Sequence, residues 1–297
     1  MKRDARAVAD VRNMKVRKLQ LDEHILTRKL WEEVFVEDTS EFLDYYYSTK
    51  IKNNEIYVIE DDGEIVSMLH LNPYEMRIGD RLCQTHYIVA VATKESYRKR
   101  GLMRQILNYT LQVMTDRREP FTFLMPAKET IYTPFGFEFV YEQRQGKVTG
   151  KSSDDSTIEI VSATEDDCQD VADFANQNLQ KYDIVTWRNA SYYQTLLLEL
   201  ASEDGGILLM KRNGRIEGVF CYACGFGQER HFIIREPIFR NEQDLQHIIY
   251  KLTGNETEEV LCNGYGEETK PMIMAKVLNP QFNFDLKNAK IFLNEEV

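Results

Sequence analysis

Between Val91 and Leu107 the chain reads VATKESYRKRGLMRQIL: an apolar run, a basic turn of Arg98, Lys99, Arg100 and Gly101, then apolar residues at helical spacing. Residue types in that order build an anion site. The first N–H groups of a helix have no partner inside it, and the helix dipole adds partial positive charge at the same end, so a phosphate docks there. Gly101 permits close backbone approach, while Arg98, Lys99, Arg100 and Arg104 supply cationic donors. A solvated basic turn is the competing reading, and the turn alone does not choose between them. Other phosphate loops fit less well: the chain has no G-x-x-x-x-G-K-[ST] and no G-x-G-x-x-G after a strand.

Other chemistries find little support. His24, His70, His86, His231 and His247 are scattered without metal-ligand spacing. Cys221 and Cys224 form a C-x-x-C, but within VFCYACGF, a strand pattern in which residues three apart face opposite sides, so no metal is expected there. No G-x-S-x-G elbow positions a serine nucleophile.

The elements that must hold the basic turn follow from periodicity. A strand is expected around Lys15 to Leu19, then a helix capped by Asp22 and carrying Ile25, Leu26, Leu30, Val34 and Phe35, then a second helix over Ser40 to Ile51. IYVIEDDGEIVSMLHL reads as a hairpin turning at Asp62-Gly63, and Tyr74 to Thr85 as another turning at Gly79-Asp80. The strand YIVAVAT, the basic turn, the helix LMRQILNYTLQVM and the strand FTFLM complete this half.

The composition of residues 146–157 marks a linker, and beyond it the pattern begins again. A strand at Ile158 to Val161, helices from Thr164 and over Ala190 to Ala201, and a hairpin turning at Asn213-Gly214 repeat the first half at an offset of 214 − 63 = 151. Ile56, Val58 and Ile65 coincide with Ile207, Leu209 and Ile216. The repeat fails at EPIFRNEQDLQHIIYKL, which has no glycine and only Arg240 where the first half has its basic turn, so the second copy is expected to keep the scaffold and lack the phosphate site.

The 297 residues suffice for two domains, and the formal charge of −11 disfavours nucleic acid and anionic membrane while suiting cationic substrates. No apolar run reaches the roughly 20 residues of a membrane span, no secretion signal opens the chain, and five cysteines lack a framework spacing, so a cytoplasmic protein with reduced thiols is expected.

The segment around the basic turn resembles motif A of the GNAT acetyltransferases, whose turn runs Gln/Arg-x-x-Gly-x-Gly/Ala. Met103 stands where that pattern has a small residue. With LMPAKETIYTPFGFEFVY (Leu124 to Tyr141), the second half and GYGEETKPMIMAKVLNP, the chain resembles tandem-GNAT proteins of the enhanced-intracellular-survival type, whose R-x-R-G-L turn accepts a bulky residue after the leucine. A protein without the sterol-carrier-like third domain usual in that family is expected. The resemblance implies a mixed-sheet α/β fold (α+β mixed sheet) of two tandem acyl-CoA N-acyltransferase domains: a catalytic domain at 1–145, a linker at 146–157 and a degenerate second copy at 158–297.

It further implies N-acetyl transfer from acetyl-CoA, as cosubstrate and without metal, to a small-molecule amine such as an aminoglycoside, a polyamine or a lysine-type substrate. Coenzyme contacts fall by position on Val91, Ala92 and Thr93 through their backbone, on Arg98, Lys99, Arg100, Gly101, Leu102, Met103 and Arg104, and on Ala127 and Lys128. The family's proton donor matches Tyr132 in Ile131-Tyr132-Thr133-Pro134-Phe135-Gly136-Phe137. The base, a chain-terminal carboxylate in the family, has four candidates here: the Val297 carboxylate, Glu295, Glu296 or water. Glu32, Glu33, Glu37, Asp38, Glu41 and Asp44 on the early helices are open to two readings, attraction of a polyamine or a solvated face. A silent acyl-CoA sensor and a tandem-GNAT aminoacyltransferase are the rival functions, and a homo-oligomer is the expected assembly.

Overall fold

Left-handed turn pairs punctuate both halves. Asp62 and Gly63 have φ of 49° and 78°, and Asn213 and Gly214 have 51° and 76°, the backbone that matches the right-handed twist of flanking strands in two-residue hairpins. The structure, a computed structural model, describes residues 14–225, 231–282 and 284–295. Its first half runs β1 (Val16–Lys18), α1 (Arg28–Val34), α2 (Ser40–Ser48), β2 (Glu55–Asp61), β3 (Glu64–Ile78), β4 (Arg81–Thr93), α3 (Leu102–Asp116), β5 (Phe121–Leu124), α4 (Glu129–Tyr132) and β6 (Glu138–Thr149). The second runs β7 (Ile158–Ser162), α5 (Cys168–Asn178), β8 (Ile184–Thr186), α6 (Ala190–Ala201), β9 (Gly206–Arg212), β10 (Arg215–Gly225), β11 (His231–Phe239), α7 (Gln243–Thr253), β12 (Glu259–Asn263), β13 (Glu268–Val277) and β14 (Ile291–Phe292).

All strands join one 14-stranded mixed sheet whose main path is β1-β2-β3-β4-β5-β13-β6-β12-β11-β10-β9-β7. The α/β mixed-sheet architecture is the expected one. Helix spacing explains the layers: Leu102, Ile106, Leu107, Leu111 and Met114 of α3 and Leu245, Ile248 and Ile249 of α7 are buried against it.

The halves interlock. β13 of the second half lies between β5 and β6, with Phe123 opposite Ala275 and Tyr141 opposite Ile273, while the end of β6 pairs with β12, Gly146 opposite Cys262. Residues 146–149, expected in a linker, are therefore strand. Composition hides this because Gly146 sits where a Cβ would stand 2.9 Å from the Cα of Gly266, so the site admits no side chain. Residues 150–157 alone form the connection.

The first helix also differs from expectation. Leu21–Thr27 is a 3-10 segment that continues into α1, and Asp22 lies inside its first turn rather than at its cap, which is Gln20. Three residues per turn break the 3.6-residue phase, so Leu30 is buried at 3% exposure while Ile25 and Leu26 stand 52% and 55% exposed. The second helix ends at Ser48, and Lys50–Asn53 follows as another 3-10 turn. The hairpin at Gly79-Asp80 turns as expected, but its return strand and YIVAVAT are one strand, β4.

Candidate functional site

β4 leaves the sheet's regular spacing halfway along. It is parallel to β5 but pairs with it only at Tyr87 opposite Phe123, so beyond that vertex the two strands diverge and the β4 edge has no ladder partner from β5. On its other side β4 is bulged against β3 between the pairs Met68–Ala92 and His70–Val89. The bulge puts Ala90, 6% exposed, at φ 52°, a left-handed backbone uncommon outside glycine and characteristic of functional sites. The three residues expected to act through their backbone, Val91, Ala92 and Thr93, follow it directly. Ser67 Oγ donates to the Ala92 carbonyl at 3.0 Å and lies 2.9 Å from Thr93 Oγ1.

The turn after β4 is exposed from Arg98 to Gly101. Lys99 has φ 63° and Gly101, the N-cap of α3, has φ 89°. No side chain caps α3, and a Cβ on Gly101 would meet nothing within 4 Å, so the helix presents its first-turn amides to open space. Arg98 Nε donates to the Thr93 carbonyl at 3.1 Å, and the Arg100 guanidinium lies 4.9 Å from the Tyr97 ring centroid. Lys99 is exposed beside them, Leu102 is buried at 1% exposure, and Met103 is half-buried against the core.

Arg104 lies 5.3 Å from the Phe135 ring, which brings the Tyr132 segment to the start of α3. Ala127 and Lys128, both exposed, precede α4, with Lys128 extended at its N-cap. Tyr132 is 7% exposed and packs its ring 6.0 Å from that of Phe137. Burial alone pushes its phenol up to about 12.

A cavity of about 230 Å³ lies between the halves, lined among others by Lys50, Tyr74, Glu199, Glu236, Asn294 and Glu295. Tyr74 packs 6.2 Å from Tyr87 and 5.9 Å from Phe123, so the cavity adjoins the vertex of the β4–β5 cleft. Behind its wall Arg188, fully buried, donates to Glu236 at 2.7 Å and to the Thr186 carbonyl at 2.9 Å, between the rings of Tyr192 and Phe292. Tyr45 Oη donates to Glu199 at 3.0 Å, tying α2 to α6. Burial raises Glu236 above the usual carboxylate range against the pull of Arg188.

Of the expected bases, Glu295 lines this cavity, while Glu296 and Val297 lie outside the described residues. Three of the acidic side chains of the early helices are held locally: Glu32 and Asp44 pair with Arg28, and Asp38 accepts from Trp31. Sequence reading missed Lys50, Ala90, Arg188, Glu199 and Glu236. Nothing in their local sequence distinguishes them.

A family model described as acetyltransferase (GNAT) domain matches residues 15–140. The first half matches a GNAT acetyltransferase domain. No curated protein matches the chain. Among solved structures it is similar to a conserved protein of unknown function from Enterococcus faecalis V583, termed a probable N-acyltransferase, at 17% identity and TM-score 0.74, covering 91% of this chain and 74% of that one. Eis1 from Mycobacterium abscessus is similar at 10% identity and TM-score 0.62, with 89% and 73% covered. A tandem GNAT protein from the clavulanic acid biosynthesis pathway is similar at 10% identity and TM-score 0.58, with 91% and 100% covered. At these identities the likeness is one of fold, and the fold is two GNAT-like domains in tandem.

The second GNAT-like copy departs at the turn. Its equivalent of α3 is α7, whose start carries acidic side chains instead of a basic glycine turn: Glu242 is the N-cap and Asp244, 1% exposed, pairs with Arg212 at 3.0 Å. Asn241 Oδ1 accepts from the Gln243 amide at 3.1 Å. Carboxylates at a helix start occupy the place that suits a phosphate in the first GNAT domain and repel a second anion. Among the described residues no group of three His, Cys, Asp or Glu could hold a metal ion.

Proposed function

We propose that this protein transfers an acetyl group from acetyl-CoA to an amine, that residues 1–145 catalyse the step, and that the second copy, 158–297, shapes the acceptor site without turning over coenzyme. We infer further that it is of the enhanced-intracellular-survival type. The observation that carries this reading is the continuous run from bulged Ala90 along an unpaired strand edge to the open amides at Gly101. A pantetheine arm can lie along that edge as an added strand while the coenzyme's phosphates meet the start of α3 and Arg98, Lys99, Arg100 and Arg104.

The amine nitrogen attacks the thioester carbonyl carbon, and the developing oxyanion is held by backbone N–H at the bulge, where charge develops in the transition state. The C–S bond then breaks, and Tyr132 gives its proton to the departing thiolate. The nitrogen loses one proton, which returns to the phenolate through Glu295 or water, so the net products are the amide and the free thiol. A phenol raised by burial stays protonated at neutral pH and so is ready to donate.

The test is free-thiol release from acetyl-CoA over aminoglycosides, polyamines, amino acids and lysine peptides, with Tyr132→Phe in parallel. Amine-dependent release that collapses in the variant supports the reading. Coenzyme binding without release on any amine sinks it and leaves an acyl-CoA sensor.

A further inference from the structure

The cavity between the halves holds opposite charges that do not meet. Lys50 donates to Tyr74 Oη at 3.1 Å, and no carboxylate comes within 4.0 Å of its ammonium among the described residues. The fields of Glu199 and Glu295 nevertheless reach it, acting against the burial that lowers its proton affinity. Lining the same cavity, Glu236 and Glu295 are each 5% exposed, yet Glu236 Oε1 and Glu295 Oε2 have no hydrogen-bond partner. Their other oxygens are used: Glu236 Oε2 by Arg188 at 2.7 Å, and Glu295 Oε1 by Tyr192 Oη at 3.5 Å. Asn294 Nδ2, beside them, is also without a partner.

Buried polar atoms left unpaired are costly, more so when charged, so three on residues that line one cavity call for a ligand or ordered water. A ligand that satisfies this arrangement needs N–H donors for the two carboxylate oxygens and an acceptor for the Lys50 ammonium. A simple polyamine satisfies the first wall and confronts Lys50 with a like charge. An acyl anion satisfies Lys50 and is repelled by the glutamates. Size narrows the choice, because about 230 Å³ lies below the ~300–1,000 Å³ of sites for drug-sized ligands.

We propose that this cavity binds a small zwitterion of the amino-acid class, its ammonium on Glu236 and Glu295 and its carboxylate on Lys50. Tyr74, between Lys50 and the Tyr87–Phe123 vertex, places such a molecule next to the cleft in which the acyl group is transferred. That the zwitterion is the acceptor rests on the proposed transfer. That it binds does not.

The experiment is calorimetric titration of the full chain, without coenzyme, with each of the 20 common L-amino acids, then with the tightest binder as its methyl ester and its N-acetyl derivative. The expected result is binding of at least one amino acid, with each derivative weaker by about tenfold or more, the loss of one charge-assisted contact. Lys50→Met then brings acid and ester to one affinity, and Glu295→Gln does the same for amine and N-acetyl forms. Absence of binding by every amino acid overturns the proposal, as does an ester that binds as well as its acid. Should Lys50→Met or Glu295→Gln fail to fold, the acid–ester comparison on the unsubstituted protein still decides. Amino-acid binding without acetylation removes the acceptor role and leaves the site; acetylation of a simple monoamine without amino-acid binding removes the site and leaves the transfer.

Discussion

At the scale of single residues, Tyr132 is protonated over any range in which the protein would work. Its phenol is raised to about 12 by burial, so the folded state binds its proton more tightly than an unfolded chain titrating at 10.0. The stability tied to that proton is fully present below pH 10 and is lost as pH rises through about 12. An alkaline fall in turnover below pH 10 would therefore belong to another group. Tyr132→Phe is expected to lower kcat by about 10²–10³-fold, the range of a lost general acid, with coenzyme Kd unchanged. The ratio of the two kcat values should stay flat between pH 7 and 10, and a ratio that shrinks toward pH 10 would mean the phenol is titrating and the assignment fails.

At the scale of elements, the connection between β8 and α6 carries a different kind of commitment. Arg188, from that connection, is fully buried against Glu236 of β11 and lies 3.9 Å from Glu295, so removing it strands carboxylates in a low-dielectric interior. Arg188→Met should cost about 3–5 kcal/mol in denaturant unfolding, and adding Glu236→Leu should recover most of it, because an apolar pair of similar volume is often as stable as a buried ion pair. A single variant as stable as the parent would show that Arg188 neutralises nothing. The contrast with the basic turn explains what could be read beforehand. Strand, turn and helix from β4 to α3 carry their signals locally: apolar alternation, clustered arginines, a glycine at the cap. The cavity's charges are scattered from Lys50 to Glu295 and become neighbours only through the sheet order, so apart from Glu295, a candidate base by resemblance, each reads as an ordinary surface residue in its own segment. Ala90 leaves no trace because a bulge is set by register between β3 and β4, and Gly146 reads as linker because pairing with Cys262 of β12, not its own propensity, holds it in the strand.

At the scale of the whole molecule, the exchange of β6 and β13 makes the two halves one folding unit. β5 and β6 of the GNAT domain do not pair with each other; β13 fills the place between them through four register pairs with β5 and seven with β6. A first half cut off after residue 150 would therefore expose the edges of β5 and β6 together, along with the Phe121, Phe123 and Tyr141 surface that Met274 and Ile273 cover. The crossing is tight as well as extensive: Gly266, at φ 108°, passes so close to β6 that a Cβ would fall 2.3 Å from the Gln145 carbonyl oxygen. Two independent domains joined by a linker would unfold in two steps and survive separation. This arrangement predicts one cooperative thermal transition for the full chain, aggregation of a 1–150 fragment expressed alone, and recovery of a soluble complex when 1–150 and 151–297 are expressed together. Two resolved transitions in calorimetry, or a soluble 1–150 fragment with native amide dispersion, would show that β13 is an accessory strand and that the GNAT domain stands without it.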